Sequence, residues 1–440
     1  MAEIMPFQMV HYGPEYSNAL NSLITPPYDV ISPEQQDSFY KSHPFNVIRL
    51  VLGKQFSSDT PEDNRYTRAS NTLKKWMIDK VLVRKPKPGF TLYQMDFRES
   101  DGNWKRIDGF VGLLKAEDYG AGKVLPHEKT YSGPKKDQLK LLRACRANFT
   151  PIHAMFNDPE GIVLKLYESL LNTEPEQEVR DSEEIIHRTW SLCEENAVHG
   201  IVEFLRKKSL FIADGHHRYE TALAYRREME ARNPSTIGQP DNYIMSYFTS
   251  MSHPGLTVLP AHRMLRDLKD FNKEEFLRRM SDCFEIHDLD YNISDLENAS
   301  KRLSSKLREF AKVGGHFGVL FNGEQRFRLI SLRDPENFSS FLSANIPESL
   351  INLDVTIFRE LILGHCFGLD KEDLENHIEY TPSAADALKK TMLGEIQVSF
   401  ILNPTRVDQM TKVAELGQKL PHKSTYFYPK ISSGLVLNVF

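Results

Sequence analysis

The sequence predicts a mixed α/β fold: a larger first half to about residue 265, then a smaller α+β half over 266–440. Three observations carry this. Short apolar runs such as "LFIA" at 210–213 alternate with amphipathic helical stretches along most of the chain. Asp101-Gly102 and Asn322-Gly323 each sit between β-rich runs, a strong hairpin signal. At 440 residues the chain is too long for one simple core, so two or three domains are expected.

The elements follow in order. Before the first hairpin, "SLITPPYDVISPEQQDSFY" reads as an ordered loop feeding a helix. Ser32 can cap it, Pro33 suits its first position and Glu34 its first turn. Residues 64–80 form a second amphipathic helix. Two strands then flank Asp101-Gly102. Residues 119–134 are rich in glycine and polar groups. "KKDQLKLLRACRANF" turns helical, and "PIHAMFND" reads as a strand. Residues 160–208 read as mostly helical and charged. Residues 209–231 supply a strand, a sharp bend and a helix. Beyond "YIMSYFTSM" and "LTVLPAHRML", residues 272–334 give helix, strand, helix and the Asn322-Gly323 hairpin. The tail alternates helix and strand again.

Composition excludes several classes. The formal net charge is −5 with no long basic run, so non-specific binding to nucleic acid or an anionic membrane is disfavoured. Cys145, Cys193, Cys283 and Cys366 form no CxxC pair, so neither a zinc site nor a disulfide framework is indicated. "MAEIMPFQMVHYG" is not a signal peptide, and no run of 18 apolar residues marks a membrane span. A cytoplasmic, globular protein with reduced cysteines is expected. Its oligomeric state is open.

The densest chemistry sits in "SLFIADGHHRYETAL", 209–223. A short buried strand ends at Asp214, where the carboxylate can cap a new helix. Gly215 permits a tight turn. His216, His217 and Arg218 fill the first helical turn. Free N–H groups and a positive dipole end attract anions there, and extra cations are unfavourable by roughly 0.3–1 kcal/mol each unless an anion binds. Arg218 adds two-pronged phosphate recognition. The alternative is a capped helix with two surface histidines. Metal binding is weaker as a reading, because helical ligands stand three or four residues apart.

Other candidates lie elsewhere. "LPHEKTYSGPKKDQLKLLRACRAN" crowds His127, Glu128, Lys129 and Thr130 into a loop that can fold over a phosphorylated ligand; a solvated, salt-bridged loop is the other reading. Arg143 and Arg146 follow on one helical face. "TPPYDV" presents Tyr28 and Asp29; Asp29 can bind Mg2+ or act as a base, or simply make a turn. "PAHRM" offers His262 and Arg263 as a second phosphate contact. "HKSTYFYPK" offers Lys423, Ser424 and Thr425, or an ordinary aromatic edge strand. Motif look-alikes fail. "HEKTY" has Tyr131 where a zincin needs histidine, and "GAGKV" lacks the phosphate-loop pattern. No GxGxxG follows a strand, and no GxSxG elbow is present.

These segments together resemble the DUF1015 family, a group labelled uncharacterised. The resemblance rests on "PPYDVI", "VLPHEKTYSGPKKDQLKLLRACRANFTPI", "FIADGHHRYETAL", "PGLTVLPAHRML", "IEYT" and "STYFYPKISSGLV", which span nearly the whole chain. A more distant likeness, on the DGHHR motif alone, runs to the ParB/sulfiredoxin-like superfamily, which includes free serine kinases. That likeness implies a ParB/sulfiredoxin-like catalytic core over 1–265, serine or O-phosphoserine as substrate, and ATP or ADP as partner.

The reading that follows is phosphoryl transfer to or from a small hydroxyl metabolite, since that chemistry needs positioning and charge neutralisation above all. Phosphate or nucleotide would be held by Gly215, His217 and Arg218, with Lys129, Arg143 and Arg146 neutralising charge. Asp214 or Asp29 would hold Mg2+ or accept the hydroxyl proton, and His216 would be the acid/base. The bend, the 124–152 loop and the C-terminal strand are expected to wall one pocket. A nucleotide-independent phosphoserine phosphatase and a non-catalytic nucleotide-binding regulator are the alternatives. Neither nucleic acid nor membrane is an expected partner.

Overall fold

The computed structural model describes residues 2–99, 102–130, 132–234, 239–269, 271–289, 295–334, 338–342, 346–368 and 377–440. The chain forms two compact units. The first comprises Met1–Pro126, Thr130–Thr257 and Phe427–Phe440; the second comprises His127–Lys129 and Val258–Tyr426. The units thus part at Thr257/Val258, a little before the change of sequence character, and the C-terminal segment belongs to the first. No helix among the described residues is long and apolar enough to cross a membrane.

The first unit is built on one mixed sheet with helices against it. In chain order its main elements are β1 (Ile4–Met5), α1 (Pro33–Ser42), α2 (Arg65–Ile78), β2 (Phe90–Arg98), β3 (Trp104–Lys115) and β4 (Val124–Leu125). Then come α3 (Ser132–Cys145), β5 (Ile152–Phe156), β6 (Gln177–Arg180), β7 (Ile186–Leu192), α4 (Glu195–Arg206), β8 (Leu210–Asp214), α5 (His216–Arg232) and β9 (Tyr243–Ser250). The strand order is β4-β8-β5-β9-β3-β2-β7-β6, with β1 on β3.

Local chemistry explains the helix starts. Ser32 accepts the Gln35 N–H while Gln35 accepts the Ser32 N–H, a reciprocal cap that begins α1 at Pro33. Asn64 does the same service for α2.

Strand periodicity explains the layers. Tyr93, Met95, Ile107, Val111, Met245 and Tyr247 point into one core; Phe90, Leu92, Phe110, Leu114, Ile244 and Phe248 point into another. Side chains alternate along a strand, so β2, β3 and β9 are apolar on both faces and must be central. β2 and β3 pair as the expected hairpin; Asp101 lies outside the described residues, and Gly102 has φ +88°. Residues 160–208 depart from the helical expectation. They contain β6 and β7; in "IHRTWSL" half-buried and buried positions alternate from Ile186 to Thr189, and Trp190 and Leu192 are buried as well.

The second unit carries β10 (His262–Leu265), α6 (Lys273–Cys283), β11 (Phe284–Leu289), α7 (Leu296–Arg308), β12 (His316–Phe321) and β13 (Phe327–Leu332). Later come β14 (Ile378–Thr381), α8 (Ala384–Met392), β15 (Val398–Ile401) and α9 (Val407–Glu415). Its antiparallel sheet runs β11-β13-β12-β15-β10-β14. β12 and β13 are joined at Asn322-Gly323, with Gly323 at φ +77°, as the turn signal requires. The whole is a mixed α+β chain, as the sequence predicts.

Candidate functional site

The bend after β8 is made by a bulge and a glycine. The register of β8 on β5 shifts between Ile212 and Asp214, which brings Asp214 opposite His153. Such a bulge re-aims a side chain at a strand end. Gly215 follows at φ +90° and is the N-cap of α5, with no side chain accepting a helix N–H there. A Cβ on Gly215 would stand 2.7 Å from Ile152 Cγ2 and 3.1 Å from Arg218 Cζ, so only glycine fits.

Asp214 therefore does not cap the helix, contrary to expectation. It is still in the strand, and its carboxylate is drawn to two cations instead. Arg218 Nη2 donates to Oδ2 at 2.7 Å, and Lys430 Nζ pairs with Oδ1. Burial alone would raise the Asp214 carboxyl pKa; Lys430 and Arg218 overcome this and hold it well below the usual range. Arg218 also donates through Nη1 to the Pro151 carbonyl at 2.6 Å and the Thr150 carbonyl at 3.4 Å. It fastens β8, α5 and the 150–151 turn together from within. His153 lies behind, bonded through Nε2 to Thr249 Oγ1 at 2.8 Å. Burial pushes its pKa down to about 4, so it is neutral at pH 7.

The inner side of this cluster is packed. Pro27, His153, Asp214, Arg218, Phe427 and Lys430 are among the residues around a cavity of about 10 Å³, the space of one water. Asp214, Gly215, His217, Glu220 and Lys430 are half-buried, whereas His216 is buried. The Pro26-Pro27 loop lies beside the bend. Its Tyr28 phenol is raised by burial and Asp29, with Arg218 opposing. Asp29 itself is exposed. Further along α5, Glu220 accepts from Thr130 Oγ1 at 2.6 Å and Lys135 Nζ at 2.8 Å, which ties the start of α3 to α5.

The remaining candidates have other partners. Arg143 pairs with Glu228 at 2.7 Å, and Arg146 stands 3.8 Å from Asp241. The two do not share a helical face. Arg146 lies beyond the end of α3, at φ +48°. His127, Glu128, Lys129, His262, Arg263, Lys423, Ser424 and Thr425 belong to the second unit. Some of them meet one another there. His127 Nε2 meets Thr425 Oγ1 at 2.8 Å, and Glu128 accepts the Lys423 N–H at 3.1 Å. Arg263 donates to the Lys423 carbonyl at 3.3 Å, and Ser424 Oγ to that of Pro421 at 2.6 Å. His262 is buried, accepts the Leu402 N–H, and has its pKa pushed down to about 3 by burial. Lys129 is exposed.

Magnesium does not fit at Asp214. Both its oxygens face cations, which repel a divalent ion, and no cluster of three metal-binding side chains exists among the described residues. Asp29 is one exposed carboxylate by itself.

Lys430 and His153 were not among the sequence candidates. Lys430 ends the same "HKSTYFYPK" segment that contributed Lys423–Thr425, but its partner is 216 positions away. His153 sits in an ordinary strand pattern with no signal of its own.

The family described as protein of unknown function DUF1015 matches residues 4–356. The chain belongs to the DUF1015 family. The bend, the Pro26-Pro27 loop and the 127–136 segment of this DUF1015 protein all lie within the match. No curated protein matches the chain. Solved structures similar to it include a free serine kinase in complex with AMP, 12% identical, covering 76% of this chain and 92% of that one at a TM-score of 0.35. A variant of the free serine kinase in complex with ADP is 13% identical and covers 72% and 89% at 0.36. C-terminally truncated SbnI from Staphylococcus aureus is 8% identical and covers 75% and 87% at 0.35.

Proposed function

We propose that this DUF1015 protein is a phosphotransferase acting on a small hydroxyl metabolite of the serine or O-phosphoserine class, with ATP or ADP as the other reactant. The observation that supports it is the pair of cations, Lys430 and Arg218, on the single carboxylate Asp214 at the uncapped start of α5. An incoming phosphate would approach the half-buried residues of the bend. It would meet the first N–H groups of α5, with His217 and Lys430 beside them. Arg218 acts from below, holding Asp214 ionised and the bend rigid. Asp29, open to solvent, is the carboxylate assigned to the substrate hydroxyl proton. His217 rather than the buried His216 is the histidine placed to move a proton at this surface.

The test is phosphorus NMR on the full chain with ATP or ADP, with and without Mg2+, and with serine or phosphoserine. Transfer of label between nucleotide and metabolite is the expected result. Lys430→Met should lower kcat/KM by about 10²–10³ while circular dichroism stays unchanged. Silence in every mixture, or full activity in the variant, overturns the assignment. Phosphate release without nucleotide would mark a phosphatase instead.

A further inference from the structure

The second unit holds a cavity of about 350 Å³ that the proposed reaction does not use. Its lining includes the buried Thr405 and the half-buried Asp354, together with Lys312, Glu348 and Lys412, which are exposed and form its mouth. Arg406 also lines it but is occupied: it pairs with Asp408 at 2.9 Å and donates to the Ala311 carbonyl at 3.2 Å.

Asp354 is the under-satisfied group. Its Oδ1 accepts the Gly315 N–H at 2.7 Å. No cation stands within ion-pair distance of it among the described residues. A carboxylate offers about four acceptor positions, so most of its capacity is open. The wall is shaped to bring it there. Gly314 and Gly315 both take left-handed φ, +79° and +74°, and a Cβ on Gly314 would sit 3.0 Å from the Asn352 carbonyl oxygen and 3.3 Å from Asp354 Oδ1. Burial raises the Asp354 pKa to about 6 against the Gly315 hydrogen bond and the fields of Arg263 and Arg406. A donor-rich cation bound at this carboxylate would relieve that cost.

The mouth has the opposite need. Lys312 and Lys412 have no ion-pair partner among the described residues. A plain anion bound between them would face Asp354 and Glu348; a plain cation on Asp354 would face the two lysines. A ligand carrying both charges, a few bonds apart, satisfies both ends. We propose that this cavity binds a free α-amino acid, its ammonium group on Asp354 and its carboxylate at the Lys312 and Lys412 mouth. The volume is at the lower end of the range for small-molecule sites, which suits a single amino acid. The ammonium supplies three donors to the open carboxylate positions. The lysines, being exposed, supply orientation more than affinity.

The proposal goes beyond the phosphotransferase reading and is tested by binding, not turnover. The full chain is screened by thermal shift with the twenty L-amino acids, and the best is titrated by calorimetry. Saturable binding of at least one is expected. Its decarboxylated analogue and its N-acetyl derivative should each bind at least tenfold more weakly. Asp354→Asn, which keeps an acceptor for Gly315, should weaken binding at least tenfold; Lys412→Met, at an exposed position, should weaken it about two- to fivefold. Lys430→Met, in the other unit, should leave it unchanged. The proposal is overturned if no amino acid binds, if Asp354→Asn binds within tenfold of the parent, or if Lys412→Met binds as tightly as the parent. Loss of binding in Lys430→Met with retention in Asp354→Asn would also overturn it, while leaving the bend's assignment intact.

Discussion

Asp214 in the first unit and Asp354 in the second are both withdrawn from water, yet they are held in opposite ways. Asp214 meets Lys430 and Arg218 directly and stays ionised far below its usual range. Asp354 meets one backbone N–H, with Arg263 and Arg406 acting only at a distance, and its pKa rises to about 6. Burial disfavours the charged form in both; direct contact with a cation decides the outcome. One aspartate is thereby part of the scaffold of a bend, and the other is left with capacity to bind something.

The largest expected effect comes from breaking the first arrangement. Asp214→Ala leaves the buried Arg218 and the half-buried Lys430 without their carboxylate. Unfolding in urea should show a loss of about 3–5 kcal/mol. Adding Lys430→Met should restore part of that loss, because the two positions are coupled. A double variant no more stable than Asp214→Ala would show that Lys430 is not the partner that matters.

His153 tests the same core from the acid side. Its pKa is about 4 in the folded chain against roughly 6.5 unfolded, so the unfolded chain binds more protons between those values. Stability should fall as pH drops from about 6.5 to 4, by up to about 3 kcal/mol from this group. His153→Gln should flatten that limb of the stability curve. An unchanged limb would mean that the histidine is solvated or charged in the fold.

Asp354 should behave with the other sign. A carboxyl raised to about 6 from 3.8 binds more protons folded than unfolded, so its contribution to stability declines as pH rises from about 4 to 6. Asp354→Asn should therefore be more stable than the parent above pH 6, by about 1–2 kcal/mol, and little different at pH 4. A variant destabilised at pH 8 would show that Asp354 is held by a cation after all.

The smallest effect belongs to an ion pair outside both regions. Lys301 and Glu297 meet at 2.7 Å but are 56% and 76% exposed. Lys301→Met should leave the melting temperature unchanged within error, since solvent screens such pairs.

Much of the fold was legible in the sequence for local reasons. Ser32-Pro33-Glu34 encodes its own helix start, and Asn322-Gly323 its own turn. The strand–glycine–helix order of 210–232 follows from an apolar run, a glycine and a change of period. The reading failed where a decision was not local. Residues 177–192 carry enough charge to resemble a helix, and only pairing with β2 makes β7 a strand. Arg146 is three residues from Arg143, but the helix ends between them.

The candidate site divides in the same way. The sequence alone determined that Asp214, Gly215 and the two histidines crowd one bend, because that crowding is a matter of neighbouring residues. It determined the need for glycine there, since a strand cannot turn into a helix so sharply with a Cβ in the way. The partner of Asp214 was decided only by the tertiary structure. Lys430 arrives from the far end of the chain, and Arg218 donates to the Pro151 carbonyl as well as to Asp214. The same holds for Asp354, an unremarked residue in the sequence. Its charge state depends on what burial removes and what neighbours return, and those neighbours come from distant segments.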